Sequence, residues 1–214
     1  MSCQSTVVLE AAAPSVAAVD AGGEAYRIDP AASEIHILVY RAGPLARLGH
    51  NHVIAAQDPE GEVLLRSDRQ ASSFELLLAV DRLTVDAPAL RERYGEQFAS
   101  TPTEADIAGT RNNMLGPALL DAAAYPYVRI AGRLAAGPDG DTVSLEIALK
   151  DTVVQRSVPI SLEIGADSLT AQGAVEIDHA ELGLAPFSVM LGALRVAETM
   201  EIKFSLIARR RTSS

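Results

Sequence analysis

Histidine is the side chain in this sequence best suited to chemistry near neutral pH, and the chain has only four histidines. Two of them, His50 and His52, lie two positions apart in GPLARLGHNHV, residues 43–53. On a regular strand, such residues point to the same side and their ring nitrogens could share a Zn²⁺ ion. Catalytic zinc commonly has three protein ligands and a water, so His36 or His179 would have to supply the third ligand.

The same pair of histidines is also compatible with roles that need no metal. One histidine could donate to a backbone carbonyl at the turn while the other is a hydrogen-bonded polar group inside the protein. The pair could also contact the polar end of a ligand, or act in acid–base catalysis. No Gly-x-Ser-x-Gly elbow and no glycine-rich phosphate loop before a helix accompanies it. We therefore expect a protein that is not an enzyme, with no catalytic residue and no resident cofactor.

The charge balance argues against nucleic acid as a partner. The 214 residues carry a net charge of −10, and phosphate binding requires clustered Lys and Arg. The dense basic run is Arg-Arg-Arg at 209–211, which we interpret as part of a solvated tail. Tryptophan is absent and aromatic residues make up 4%, so base-stacking platforms are not expected. No apolar run approaches the roughly 18 residues of a membrane-spanning helix.

Length and local composition predict one domain at residues 26–209, preceded by a linker at 1–25 and followed by a tail at 210–214. The first 25 residues lack the basic start and long apolar core of a complete secretory signal. Cys3 is the only cysteine, which rules out an intrachain disulfide and a thiolate metal cluster. It is either incidental or a lipid-modified residue that tethers the protein to a membrane.

Apolar and polar residues alternate through most of the chain after Tyr26, which is typical of half-buried strands. The alternation predicts strands at 34–42, 48–56, 61–66, 73–85, 128–134, 143–150, 153–164, 168–178 and 194–209. Gly173 is interpreted as a bulge in one of them.

The middle of the chain has a helical pattern instead. In residues 86–98, Leu90, Tyr94 and Phe98 recur every four positions, and Asp86 is expected to cap this helix. A second helix is predicted at 103–115, because Thr103 and Asp106 have the spacing of a capping box.

Many successive antiparallel strands leave edges that closing the sheet into a barrel removes. The sequence therefore predicts an all-β fold with minor α, an antiparallel barrel of about eight strands with two short helices inserted midway. Its inward faces carry mainly Val, Leu, Ile and Ala, which either pack the interior fully or leave room for an apolar ligand. The predicted lining is Phe74, Leu76, Leu78, Leu145, Ile147, Phe187 and Phe204.

Three stretches resemble the YceI-like family: YRIDPAASEIHILVYRAG at the start, NNMLGPALLDAAAYPYVRIAG at 112–132 and VSLEIALKDTVVQRSVPISLEI at 143–164. The chain differs at Leu119 and Leu120, where that family usually has paired phenylalanines. The resemblance implies a lipocalin-like barrel that holds a polyisoprenoid chain in its lumen, and export to the bacterial periplasm.

We therefore expect a lipid-binding module that carries an apolar, isoprenoid-type small molecule, with His50 and His52 near a barrel mouth at the polar end of the ligand. One alternative is a zinc-dependent enzyme or metal-binding protein that uses the same histidines. Another is a protein-interaction module in which APFSVMLGAL, residues 185–194, forms an exposed apolar patch. We expect that stretch to be a buried strand and loop.

Overall fold

The structure, a computed structural model, describes residues 23–137 and 140–211. Cys3, the linker before residue 23 and the last three residues lie outside the described part. The described residues form twelve strands and two α-helices. The strands are β1 (Gly23–Ile28), β2 (Glu34–Ala42), β3 (His52–Ala56), β4 (Glu60–Arg66), β5 (Ser73–Ala79), β6 (Leu83–Val85), β7 (Tyr127–Gly137), β8 (Gly140–Leu149), β9 (Thr152–Ile164), β10 (Ser168–Asp178), β11 (Ser188–Val189) and β12 (Leu194–Arg210). The helices are α1 (Pro88–Arg93) and α2 (Glu104–Leu115), and neither is long and apolar enough to span a membrane.

Eight antiparallel strands close into a barrel. Strand β1 pairs with β4 on one side and with the end of β12 on the other. This closes the ring β1-β4-β5-β7-β8-β9-β10-β12. The predicted all-β barrel of about eight strands with two short helices midway is therefore confirmed. The alternation of apolar and polar residues predicted these strands because each strand presents one face to the barrel interior and one to the outside.

Three further strands continue the barrel wall beyond this ring. Strand β2 follows β1 and pairs with β12, β3 pairs with β2, and β6 pairs with β3. The strand predicted at 48–56 begins only at His52, because Ala46–Leu48 form a 3₁₀ turn. The strand predicted at 73–85 is divided into β5 and β6 by a 3₁₀ turn at Val80–Arg82. That turn keeps Val80 buried, so the alternation continues through the break.

The helices follow the predicted pattern, except at one cap. Helix α2 begins with the expected capping box between Thr103 and Asp106. Helix α1 is shorter than predicted and is followed by a 3₁₀ turn at Gly95–Phe98. Asp86 does not cap it, because the N-cap is Ala87 and the Asp86 side chain bonds to other groups. A backbone φ of 56° at Asp86 turns its side chain back toward β3.

Two separate apolar clusters stabilise the barrel end that carries the helices. Inside the barrel, Met114 of α2 and Leu120 pack with the lumen residues, so α2 fills this end. Outside the barrel, Phe98 packs on Leu38 and Val53, which face away from the lumen. The helical segments therefore close one end of the barrel and cover part of its wall.

The arginine run at 209–211 is not the solvated tail that its composition suggested. Each arginine pairs with an acidic residue on the first strands or the turn after β1. The pairs are Arg209 with Asp29 at 3.2 Å, Arg210 with Glu24 at 2.5 Å and Arg211 with Glu62 at 3.3 Å. These side chains fasten the end of β12 to β1 and β4, so the basic run is used within the molecule.

Candidate functional site

The barrel contains an apolar cavity of about 160 Å³, which we call the lumen cavity. Its lining includes side chains of strands β4, β5, β7, β8, β9, β10 and β12. Of the 23 lining residues, only Ser72, Ser73 and Glu75 are polar. Glu75 is engaged in an ion pair with Arg129 at 2.5 Å. The cavity is therefore suited to apolar groups and offers no unpaired charge to a ligand.

Two aromatic rings in the cavity wall lie over glycines of neighbouring strands. Phe74 faces Gly132 of β7, where an added Cβ would come within 2.7 Å of the ring. Phe204 faces Gly173 of β10, again with 2.7 Å between ring and added Cβ. Gly173 is therefore not the predicted bulge, because the register of β10 against β12 is continuous there. The two glycines let the rings lie close to the wall.

Most of the predicted lining residues meet at this cavity. Those that line it are Phe74, Leu76, Leu145, Ile147 and Phe204. Leu78 is buried one layer further along β5 and does not reach the cavity. The expectation for Phe187 needs correction, since this side chain is 51% exposed and lies outside the lining.

His50 and His52 do not line the cavity either. His52 is the cross-strand neighbour of Val39, which in turn lies opposite Met200. The β12 side chains that line the cavity are those of Ile202, Phe204, Leu206 and Ala208, so Met200 lies beyond its edge. The histidine pair is therefore at the barrel end filled by α2, away from the lumen cavity.

The pair belongs instead to a buried polar group that we call the Asp86 cluster: Asp86, Arg91, His52, Asn51 and Ser100. The Asp86 carboxylate is fully buried and accepts hydrogen bonds from the His52 ring at 2.6 Å and the Val53 amide at 2.9 Å. Burial alone would raise the pKa of Asp86. The bonds from His52, Val53 and Arg91 outweigh burial and lower that pKa below its ordinary value.

Arg91 completes the Asp86 cluster from α1. Its guanidinium is almost fully buried and lies 2.5 Å from the Asp86 carboxylate. It also donates to the backbone carbonyls of Asn51 at 2.8 Å and Ser100 at 2.7 Å. This one side chain therefore joins α1 to the segment before β3 and to the loop before α2.

Comparison with known proteins finds similarity in the three-dimensional structure but not in the sequence. No known protein family matches the sequence. No curated protein matches it either. The crystal structure of BcnA from Burkholderia cenocepacia matches with a TM-score of 0.62 at 15% identity, over 84% of this chain and 98% of that one. The Campylobacter jejuni YceI protein matches with a TM-score of 0.48 at 6% identity, over 75% and 85% of the two chains.

The chain therefore shares the fold of BcnA. The antiparallel barrel that the resemblance of the three sequence stretches implied is the architecture of this chain. At such low identity the likeness extends to architecture alone, so the role of each residue rests on its own contacts.

Within this barrel, the histidines do not assemble the predicted zinc site. The rings of His50 and His52 lie edge to face with centroids 6.4 Å apart, and Nδ1 of His50 is 3.2 Å from the Ser100 hydroxyl. His36 contacts Tyr94 and His179 donates to the Glu198 carbonyl. Throughout residues 23–137 and 140–211, no three His, Cys, Asp or Glu side chains are grouped to hold a metal.

The chemistry open to His52 is limited by its partner. An ionised Asp86 requires the proton of a neutral His52 ring on Nδ1, which leaves Nε2 as a proton acceptor. Among the described residues, Nε2 has no hydrogen-bond partner, and the nearby Ser100 hydroxyl bonds to His50 and Arg91 instead. The arrangement orients His52 without presenting a nucleophile to it.

His36 should make stability depend on pH. Burial lowers the pKa of His36 below its ordinary value of 6.5, opposed by Glu34 and assisted by Arg93. The unfolded chain therefore binds the proton first, and stability is full above pH 6.5 and falls as the pH drops toward the folded pKa. We expect His36→Gln to weaken this fall. Urea unfolding of wild type and variant at about pH 7.5 and about pH 5.5 measures how much unfolding free energy each protein loses as the pH falls. Equal losses in the two proteins would show that His36 is not the group responsible.

Proposed function

We propose that this protein binds an apolar chain, of isoprenoid type, in the lumen cavity and carries it. The observation that supports this most strongly is the cavity itself, with 20 of its 23 lining residues apolar. An apolar cavity of this size stays dry and takes up apolar molecules, because water there would lack hydrogen-bond partners.

The size of the cavity defines what part of a ligand it holds. Its volume of about 160 Å³ is below the roughly 300–1,000 Å³ of a pocket for a drug-sized molecule. The cavity therefore holds the end of an apolar chain, and a longer ligand extends out of the barrel. A charged head group stays outside, because a buried charge without a partner is strongly unfavourable.

A series of alcohols of increasing chain length tests this proposal. Each added CH₂ should tighten binding about fourfold until the cavity is filled, after which affinity levels off. Isoprenoid alcohols should bind at least as tightly as linear alcohols of equal carbon number. Dicarboxylates of the same lengths are the matched control and should not bind, because one charged end would be buried. Affinity independent of length, or tight binding of the dicarboxylates, would contradict the proposal.

A further inference from the structure

The barrel end opposite the lumen cavity carries a concentration of exposed apolar side chains. Four of the seven large apolar side chains that are exposed in the described residues lie on two loops there. We call these four the apolar tip: Leu48 at 63% exposure, Phe187 at 51%, Met190 at 68% and Leu191 at 108%. The two loops are joined by a bond from the Leu45 amide to the Ala193 carbonyl, at 2.8 Å. The expectation that residues 185–194 form a buried strand and loop is therefore wrong at the tip.

The backbone of the apolar tip is strained in a way that exposes it. Met190 and Leu191 have φ angles of 53° and 56°, in the left-handed region that bulky residues rarely adopt. For a bulky L-residue this conformation is unfavourable, because the Cβ lies too close to the following carbonyl oxygen. Strain that holds an apolar side chain out in solvent gives no folding advantage, so it indicates a surface used for contact.

The two chain segments that carry the apolar tip are basic, whereas the whole protein is acidic. Segments 41–51 and 185–197 contain Arg41, Arg47 and Arg195 and no acidic residue, in a chain with 28 acidic residues and a net charge of −10. The next acidic residue, Glu198, comes three positions after Arg195. The Arg41 guanidinium donates to the Gly49 carbonyl. Arg47 and Arg195 are also exposed, and neither makes an ion pair within the described part of the chain.

We propose that the apolar tip docks on an anionic lipid bilayer, with Arg47 and Arg195 at the head-group level. Protruding apolar side chains enter a bilayer interface without needing a preformed pocket, whereas a protein partner must supply one of matching shape. Arginines beside them add attraction to anionic lipids. The docking surface is separate from the lumen cavity and does not depend on what the cavity holds.

Flotation of the full chain with vesicles tests this docking. We expect the protein to float with vesicles of phosphatidylcholine and phosphatidylglycerol, and much less with phosphatidylcholine alone. Leu191→Gly should reduce partitioning about tenfold. It should melt at the same or a higher temperature, because glycine relieves the left-handed strain. R47Q combined with R195Q should reduce partitioning at least tenfold on the anionic vesicles.

Matched controls lie elsewhere on the barrel. Val153→Ser removes an exposed apolar side chain from β9, and R27Q removes an exposed arginine from β1; neither should change partitioning. Equal flotation of wild type and Leu191→Gly would overturn the proposal. So would a dimer that is lost in Leu191→Gly in a protein that binds no vesicles, because the tip would then be a contact between copies of the chain.

Discussion

Asp86→Asn is expected to lower the free energy of unfolding by about 3–5 kcal/mol, the usual cost of removing one partner from a buried ion pair. Asparagine has nearly the same shape and tolerates the positive φ at this position. It also keeps an acceptor for the Val53 amide, so the substitution isolates the charge. The substitution removes the negative charge that compensates the Arg91 guanidinium, which would remain buried with no counter-charge.

Urea unfolding measures this loss, with Asp58→Asn as the matched control. Asp58 pairs with Arg82 at 3.0 Å, but both side chains are about half exposed. Exposed pairs contribute about 0–1 kcal/mol because water and salt screen them. If both variants lose the same small amount, Asp86 does not hold the segment before β3 to α1 through a buried charge.

Ala171→Phe is expected to reduce the affinity for apolar ligands at least tenfold. Ala171 lines the lumen cavity between Leu162 and Leu206 on the neighbouring strands. A phenyl ring placed there would occupy much of the roughly 160 Å³ that a ligand chain would need. Because the ring fills existing space, we expect a change in stability of no more than about 1–3 kcal/mol.

Ala174→Phe on the same strand is the matched control, because Ala174 is exposed on the outer face of the barrel. Titration with a fluorescent apolar probe should give wild-type affinity for this variant and a large loss for Ala171→Phe. Unchanged binding in Ala171→Phe would show that the probe binds somewhere other than the lumen cavity.

The strands of the barrel were largely predictable from sequence. The segment at 34–42 was predicted with the bounds of β2, and β9 and β10 were predicted within a residue at each end. These strands have one face in the lumen and one in solvent, so the polarity of each residue reports its direction. The break between β5 and β6 was missed because Val80 keeps the alternation while the backbone turns.

The candidate sites were less predictable. Five lumen residues were identified because their side of each strand follows from the alternation, but where the cavity ends depends on how far α2 enters the barrel. The Asp86 cluster was missed, since His52 and Asp86 are 34 positions apart and nothing local pairs them. One feature of the sequence could have indicated this cluster. An acidic residue, Asp86, and an arginine, Arg91, lie five positions apart at the start of a predicted helix, where they can form an ion pair. The exposure of Leu191 depends on a backbone angle that its apolar neighbours do not suggest.

Native mass spectrometry of wild type and Ala171→Phe, purified identically from a bacterial extract without detergent, shows whether a ligand occupies the lumen cavity. We expect an adduct on the wild-type protein that organic solvent extracts and that chain analysis shows to be an apolar lipid, with little or none on Ala171→Phe. The same adduct on both proteins would contradict a ligand in the lumen cavity. An adduct that only a chelator removes would instead direct attention to His50 and His52.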